Sequence, residues 1–213
     1  ARKISLTKGF KRFDLREAQD IYKTFFDDFD LADANIKKKF LDNPDYVDAW
    51  IFFKQYDVDA SLRQNFGAMD AFLAKRAGKE IPSPETYLSK EFIARHLAKF
   101  EDGVSCLKLE SVKRYINLGM DDGLFVLPKA EMDKLLQKTG GDISKIEYEL
   151  GIPTGTWGKE IHNKSDKLIR IDLDKDQIKR LDMPRGTEST ANDLWLPGGK
   201  TSNGHHEAVI NAV

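Results

Sequence analysis

Along the first third of the chain the apolar positions follow a helical beat. Ala18, Ile21, Tyr22, Phe25, Phe26 and Phe29 fall at i, i+3, i+4, i+7, i+8 and i+11, one face of a helix over 14–30. Asp14 is its natural N-cap. Asp27, Asp28, Asp30 and Asp33 crowd the far end, where the helix dipole disfavours carboxylates, and read as a solvated, fraying terminus rather than a metal site. The run Lys37-Lys-Lys reads as a solvated face. Asn43-Pro44 opens a second helix, because Pro fits the first turn, with Val47, Trp50, Ile51 and Lys54 on one face. A third segment, 59–77, carries Leu62, Met69, Phe72 and Leu73, and Gly78 can end it. Ile81-Pro-Ser-Pro is the clearest breaker in the chain and marks a boundary near residue 85.

Beyond the breaker the beat persists once and then changes. Phe92, Ile93, Leu97 and Phe100 stripe a helix over 89–100, and His96 on that stripe reads as a packed or hydrogen-bonded core histidine. Val104-Ser-Cys-Leu-Lys-Leu and Gly123-Leu-Phe-Val-Leu read as strands, with Pro128 opening the next helix. Met132, Leu135 and Leu136 pack that helix and Gly140-Gly141 stops it. Asp142 caps a short helix to Leu150, and Gly151-Ile-Pro-Thr-Gly turns the chain. Lys167-Leu-Ile-Arg-Ile-Asp-Leu alternates as a strand does, and Ala208-Val-Ile reads as a final strand. The pattern predicts an α+β protein: a helical lead over 1–85, an N-terminal bundle, and a small mixed α/β domain over 86–213.

Composition narrows the partners. The chain has 213 residues, with 34 Lys and Arg against 35 Asp and Glu. The halves are equally balanced, 15 against 15 over 1–85 and 19 against 20 over 86–213, so neither is a basic nucleic-acid module. Nucleic acid remains possible as a partner but is not favoured. Cys106 is the single cysteine, which excludes an internal disulfide and a multi-cysteine metal site and reads as a buried hydrophobe. No apolar run is long enough for a transmembrane helix. The chain opens without Met or a signal-like apolar core, and we read it as a piece cut from something longer.

The common phosphate, zinc, dinucleotide and nucleophile-elbow motifs are missing, so the chemistry must come from looser clusters. The richest is the tail from Met183 to Ile210, whose Arg, Glu, Asn, Trp, Gly pairs and two His suit a binding loop on a rigid sheet. Pro197-Gly-Gly leaves backbone uncovered at Gly198 and Gly199 for close ligand approach. Glu207, just before an apolar strand, is placed to stabilise an oxocarbenium-like transition state as a glycosidic bond breaks. In the cluster from Lys113 to Pro128, Arg114 suits a bidentate grip on pyrophosphate. Two other readings stay open. His205 and His206 face opposite ways on a strand, so one of them with Glu207 or Lys200 would serve a metal-independent ribonuclease. Alternatively, the chain is a non-enzymatic binding module.

Arg114-Tyr115, Gly119, Gly123-Leu-Phe125 and Pro128, followed by Pro197-Gly-Gly and Glu207, resemble the tuberculosis-necrotizing-toxin type of bacterial NAD glycohydrolase, whose split, mostly antiparallel β-core is similar to that of ADP-ribosyltransferases. The match covers about a third of 105–213 in short motifs, and Glu207 stands where that family has Gln. Asn43-Pro-Asp-Tyr-Val-Asp-Ala-Trp and Asn192-Asp-Leu-Trp-Leu-Pro-Gly-Gly resemble C-terminal tips of bacterial polymorphic toxins. The resemblance implies an NAD-directed toxin, with NAD as substrate and no other cofactor or metal. Glu207, Arg114 and His206 would be catalytic, and Arg185, Trp195, Gly198, Gly199 and Phe125 would hold the dinucleotide. It further implies delivery as part of a larger secreted or cell-surface protein, action in the target cytoplasm and a cognate immunity protein.

Overall fold

The computed structural model describes residues 15–111 and 123–212. Five helices come first: α1 (Leu15–Leu31), α2 (Ala34–Asp42), α3 (Pro44–Gln55), α4 (Phe66–Ala77) and α5 (Lys90–Leu97). Caps decide their ends. Asp33 accepts from the amides of Asn35 and Ile36 and starts α2, so this carboxylate is a cap rather than part of a frayed terminus. Asn43 accepts from Asp45 N ahead of Pro44, Ser89 from Phe92 N, and Gly78 ends α4 in the left-handed conformation. The proposed Asp14 cap lies outside the described residues. The segment expected over 59–77 divides at Arg63 to Asn65 into a 3-10 turn, Ala60–Leu62, and α4.

Phe25, Phe40, Trp50, Phe52, Phe53, Met69 and Phe72 interlock in the helical core, with ring centroids 4.8–5.5 Å apart for neighbours such as Phe25–Trp50 (5.1 Å) and Phe52–Phe72 (4.8 Å). The α1 stripe is narrower than its periodicity suggests. Ile21 and Phe25 are buried, whereas Tyr22 and Phe26 are 51% and 58% exposed, because the partner helices cover only one side of the stripe.

A five-stranded sheet follows: β1 (Val104–Leu109), β2 (Leu124–Pro128), β3 (Leu168–Leu173), β4 (Ile178–Asp182) and β5 (Ala208–Ala212), in the order β3-β1-β2-β5-β4. Every neighbouring pair is antiparallel. Helices α6 (Lys129–Thr139), α7 (Ile143–Glu149) and α8 (Thr156–Lys164) lie between β2 and β3 in the chain. The α+β class read from the pattern is thus the observed one; α2, α8 and β4 are elements the pattern did not announce.

Both faces of the sheet are covered, so β1 is buried on both sides over its first half. Val104, Cys106, Val126, Ala208 and Ile210 pack towards Phe100; Leu107 and Leu127 pack towards Met132, Leu135 and Ile146 of α6 and α7. The two halves of the chain also share a core, since Met183 and Leu196 join the helical cluster. Among the described residues no helix is long and apolar enough to cross a membrane.

One irregularity shapes the rest. β1 meets β2 only at Val104↔Pro128 and Ser105↔Leu127. Past that corner β1 pairs with β3 alone, and Leu124, Phe125 and Val126 pair with β5. The sheet therefore splits between β1 and β2.

Candidate functional site

A cavity of about 400 Å³ lies at that split. Cys106, Leu107 and Lys108 of β1, Phe125 and Leu127 of β2, and Glu207 before β5 line it, together with Trp157 and Trp195. The side chains are mostly apolar, as small-molecule sites are, and the few polar groups can fix orientation.

Glu207 reaches this cavity through a hairpin. Its amide donates to Gly199 O at 2.9 Å, Lys200 bridges to His206, and Thr201 N donates to His205 O at 2.8 Å. The hairpin is docked on the end of α7, because Thr201 Oγ donates to Glu149 O and Asn203 Nδ2 to Tyr148 O. Glu207 itself is 8% exposed. Burial, reinforced by the nearby charge of Glu188, pushes its carboxyl up to about 8. At neutral pH it is therefore mostly a neutral acid.

Glu188 is held where it acts on Glu207 by the turn that precedes it, accepting from Arg185 N at 2.7 Å and Gly186 N at 2.8 Å. The helical layer pins the same loop: Lys75 Nζ donates to Gly186 O and Ala191 O, and Arg76 to Asp193 O. Arg76 is itself clamped over the rings of Phe52 and Phe72. Trp195 is buried, and its Nε1 has no hydrogen-bond partner, an orphan donor at the cavity wall. Gly186 lies flat under that indole. Its φ is +82°, and a Cβ there would stand 2.8 Å from the ring. Gly186→Ala is therefore expected to cost about 2 kcal/mol and to shift tryptophan emission, measured by urea unfolding and fluorescence. Unchanged emission and midpoint would show that the ring is not seated there.

The far wall is built from Glu147. This fully buried carboxylate accepts from the amides of Gly155 (2.7 Å), Trp157 (2.5 Å) and Gly158 (3.1 Å) and so caps α8 from a distance in sequence. Lys108 is the cavity's lysine, half-buried, with burial holding its ammonium below the ordinary lysine range. Burial pushes the Cys106 thiol up to about 11, so it is no nucleophile, as its composition-level reading held.

The sequence candidates divide. Glu207, Trp195 and Phe125 come together on this cavity. His206 and Gly198 line a second one, on the other side of the hairpin. Gly199 lines neither cavity; a Cβ on it would meet His96, and one on Gly198 would meet Leu62, so these glycines let the hairpin press against the helical layer. Arg185 is exposed and faces Glu85 at 3.7 Å. Arg114, with Tyr115 and Gly119, lies outside the described residues. His205 and His206 do point apart, to Glu149 (2.7 Å) and Glu131 (2.5 Å) respectively. His96 is buried and hydrogen-bonded, to Glu207 O at 2.9 Å. Glu188, Trp157 and Glu147 escaped the sequence reading; Glu188, two residues after Gly186 in a turn, carried the one available signal. No group of three or more potential metal ligands occurs among the described residues.

No protein-family model matches the chain, and no curated protein or solved structure shows significant similarity to it.

Proposed function

We propose that the protein cleaves the nicotinamide–ribose bond of NAD at the split-sheet cavity, as a toxin domain. The observation that carries this reading is Glu207, a buried carboxyl on an aromatic-walled cavity beside a second carboxylate. The nicotinamide ring of NAD is flat, apolar at its edges and positively charged. Trp195, Trp157 and Phe125 offer it ring surfaces. A cation entering beside Glu207 favours the charged form of the carboxyl and draws its proton off. The resulting carboxylate then faces the positive charge that develops on the ribose as the bond breaks. Water or a protein side chain accepts the ribosyl group. The activity would be deployed in a recipient cell's cytoplasm by a larger secreted protein and restrained by an immunity protein.

Incubating the full chain with NAD and following nicotinamide release tests the chemistry. Neither release nor labelled protein in a lysate, at high protein concentration, would sink it. The pH profile is a second check. Because the reactive form is the carboxylate, release at NAD far below KM, which reports the free site, should climb as pH rises through about 8. Glu188→Gln removes the like charge and should move that midpoint down by roughly half a unit to one unit. A midpoint that stays put would remove Glu188 from the account.

A further inference from the structure

The second cavity, about 420 Å³, lies between the helical layer and the outer side of the hairpin. Tyr56, Phe92, Leu196 and Pro197 give it apolar wall. Arg95, Lys99 and Lys200 give it three cations, and Asp59 is the one acid in its lining. None of the three cations has an ion-pair partner among the described residues. The field of Lys200 and Arg95 reaches Asp59, whose own oxygen is already taken by Ser61 N and Oγ. Asp59 therefore tempers this positive field without cancelling it.

Two histidines complete the wall. His206 Nδ1 faces Glu131, which also accepts from His206 N at 2.8 Å, so the imidazole is locked in orientation and Nε2 is the nitrogen left for a ligand. His96 is buried and bonds Glu207 O through Nε2, which must therefore carry the proton; its Nδ1 has no partner among the described residues. The two rings stand 5.6 Å apart. Each neutral ring spends its proton on a protein oxygen and turns an acceptor nitrogen to the cleft, so the three cations are what draws an anion there.

We propose that this cleft binds the phosphate group of a mononucleotide, with Arg95, Lys99 and Lys200 around the phosphate oxygens, His206 Nε2 as a fixed acceptor for a ribose hydroxyl, and the base against Phe92 and Tyr56. The aromatic wall argues for a nucleotide over a bare anion, since a base has a flat apolar face to bury there. The site lies across the hairpin from the Glu207 cavity and stands whether or not NAD is cleaved.

Calorimetric titration of the full chain with AMP, inorganic phosphate and adenosine tests it. AMP should bind, inorganic phosphate more weakly, and adenosine not at all. Arg95→Ala and Lys200→Ala should each weaken AMP by roughly tenfold or more, and His206→Asn by less, with unchanged thermal melting as the control for folding. Glu207→Gln should bind AMP as the wild type does. Equal binding of phosphate and AMP would confine the site to the phosphate group and overturn the nucleotide assignment. Loss of AMP binding in Glu207→Gln, or AMP binding unmoved by both cation variants, would place the ligand elsewhere and overturn the proposal, as would no binding of AMP at all.

Discussion

Replacing Glu207 by Gln should strengthen the fold and abolish the chemistry in one step. The carboxyl titrates at about 8 in the folded protein, against an ordinary value of 4.5. Below the ordinary value both folded and unfolded chains hold the proton, and the group contributes nothing to pH dependence. Between the two values the unfolded chain has released the proton and the folded chain retains it. Folded stability therefore falls as pH rises across that window. The accumulated penalty is on the order of 4 kcal/mol at pH 8 and under about 1 kcal/mol at pH 5. Gln has the same shape and no proton to lose, so it lifts most of that penalty.

Urea unfolding of wild type and Glu207→Gln at pH 5 and pH 8 reads the effect directly. The variant should gain several kcal/mol at pH 8 and little at pH 5. Equal gains at both pH values would mean that Glu207 is not held neutral by burial. In parallel, nicotinamide release should drop by about 10²-fold or more, because the amide cannot supply the charge the transition state needs. In a bacterium expressing the full chain, growth arrest and NAD loss should both disappear with the same substitution. A residue that costs stability and serves only chemistry is how a functional site differs from a structural one.

Glu147→Ala should be the most damaging substitution on the cavity's far wall. Three backbone amides, of Gly155, Trp157 and Gly158, end on this one buried carboxylate. Removing it takes the acceptor from three half-buried donors and the anionic cap from the start of α8. The expected cost is about 3–5 kcal/mol. Glu147→Gln keeps one acceptor oxygen but sets a non-accepting NH2 where the other stood, so it loses the charge and at least one amide bond, for about 2–3 kcal/mol. Hydrogen exchange at the three amides gives the local readout: protection should collapse in the Ala variant and survive in part in the Gln variant. Because Trp157 is positioned by this bond, KM for NAD should rise before kcat falls. An Ala variant within about 1 kcal/mol of wild type would show that the amides find other partners.

How much of this was legible depends on the kind of interaction. Helices α1, α3 to α7 and strands β1, β2, β3 and β5 could be read because each carries its own signal: a cap such as Asn43, a stop such as Gly78, an alternation such as that of 168–173. The α8 helix could not, because it begins at Gly155 and Thr156 without a local cap; its N-terminal acceptor is Glu147, eight or more residues earlier. β4 carries Lys179 and Arg180 at exposed positions and is defined by pairing with β5 some thirty residues on, which no local pattern reveals. The Tyr22 and Phe26 exposure has the same origin: periodicity draws the stripe, but the neighbouring helices decide how much of it they cover.

The candidate site followed the same division. Glu207, Trp195 and Phe125 could be named from residue type and neighbourhood, and they share one cavity. His206 could be named as well, yet it faces a different cavity from Glu207, because adjacent residues on a strand take opposite sides. The sequence by itself determined the α+β class, the helical lead, the neutral charge balance and the small set of groups able to do chemistry. Those properties reside in short windows and in counts. The tertiary structure alone decided where β1 leaves β2, which carboxylate lies near Glu207, and which side of the hairpin each group serves. Those depend on contacts between residues a hundred positions apart, such as Lys75 with Gly186 and His96 with Glu207, and on burial, which turns an ordinary carboxyl into one that keeps its proton near pH 8.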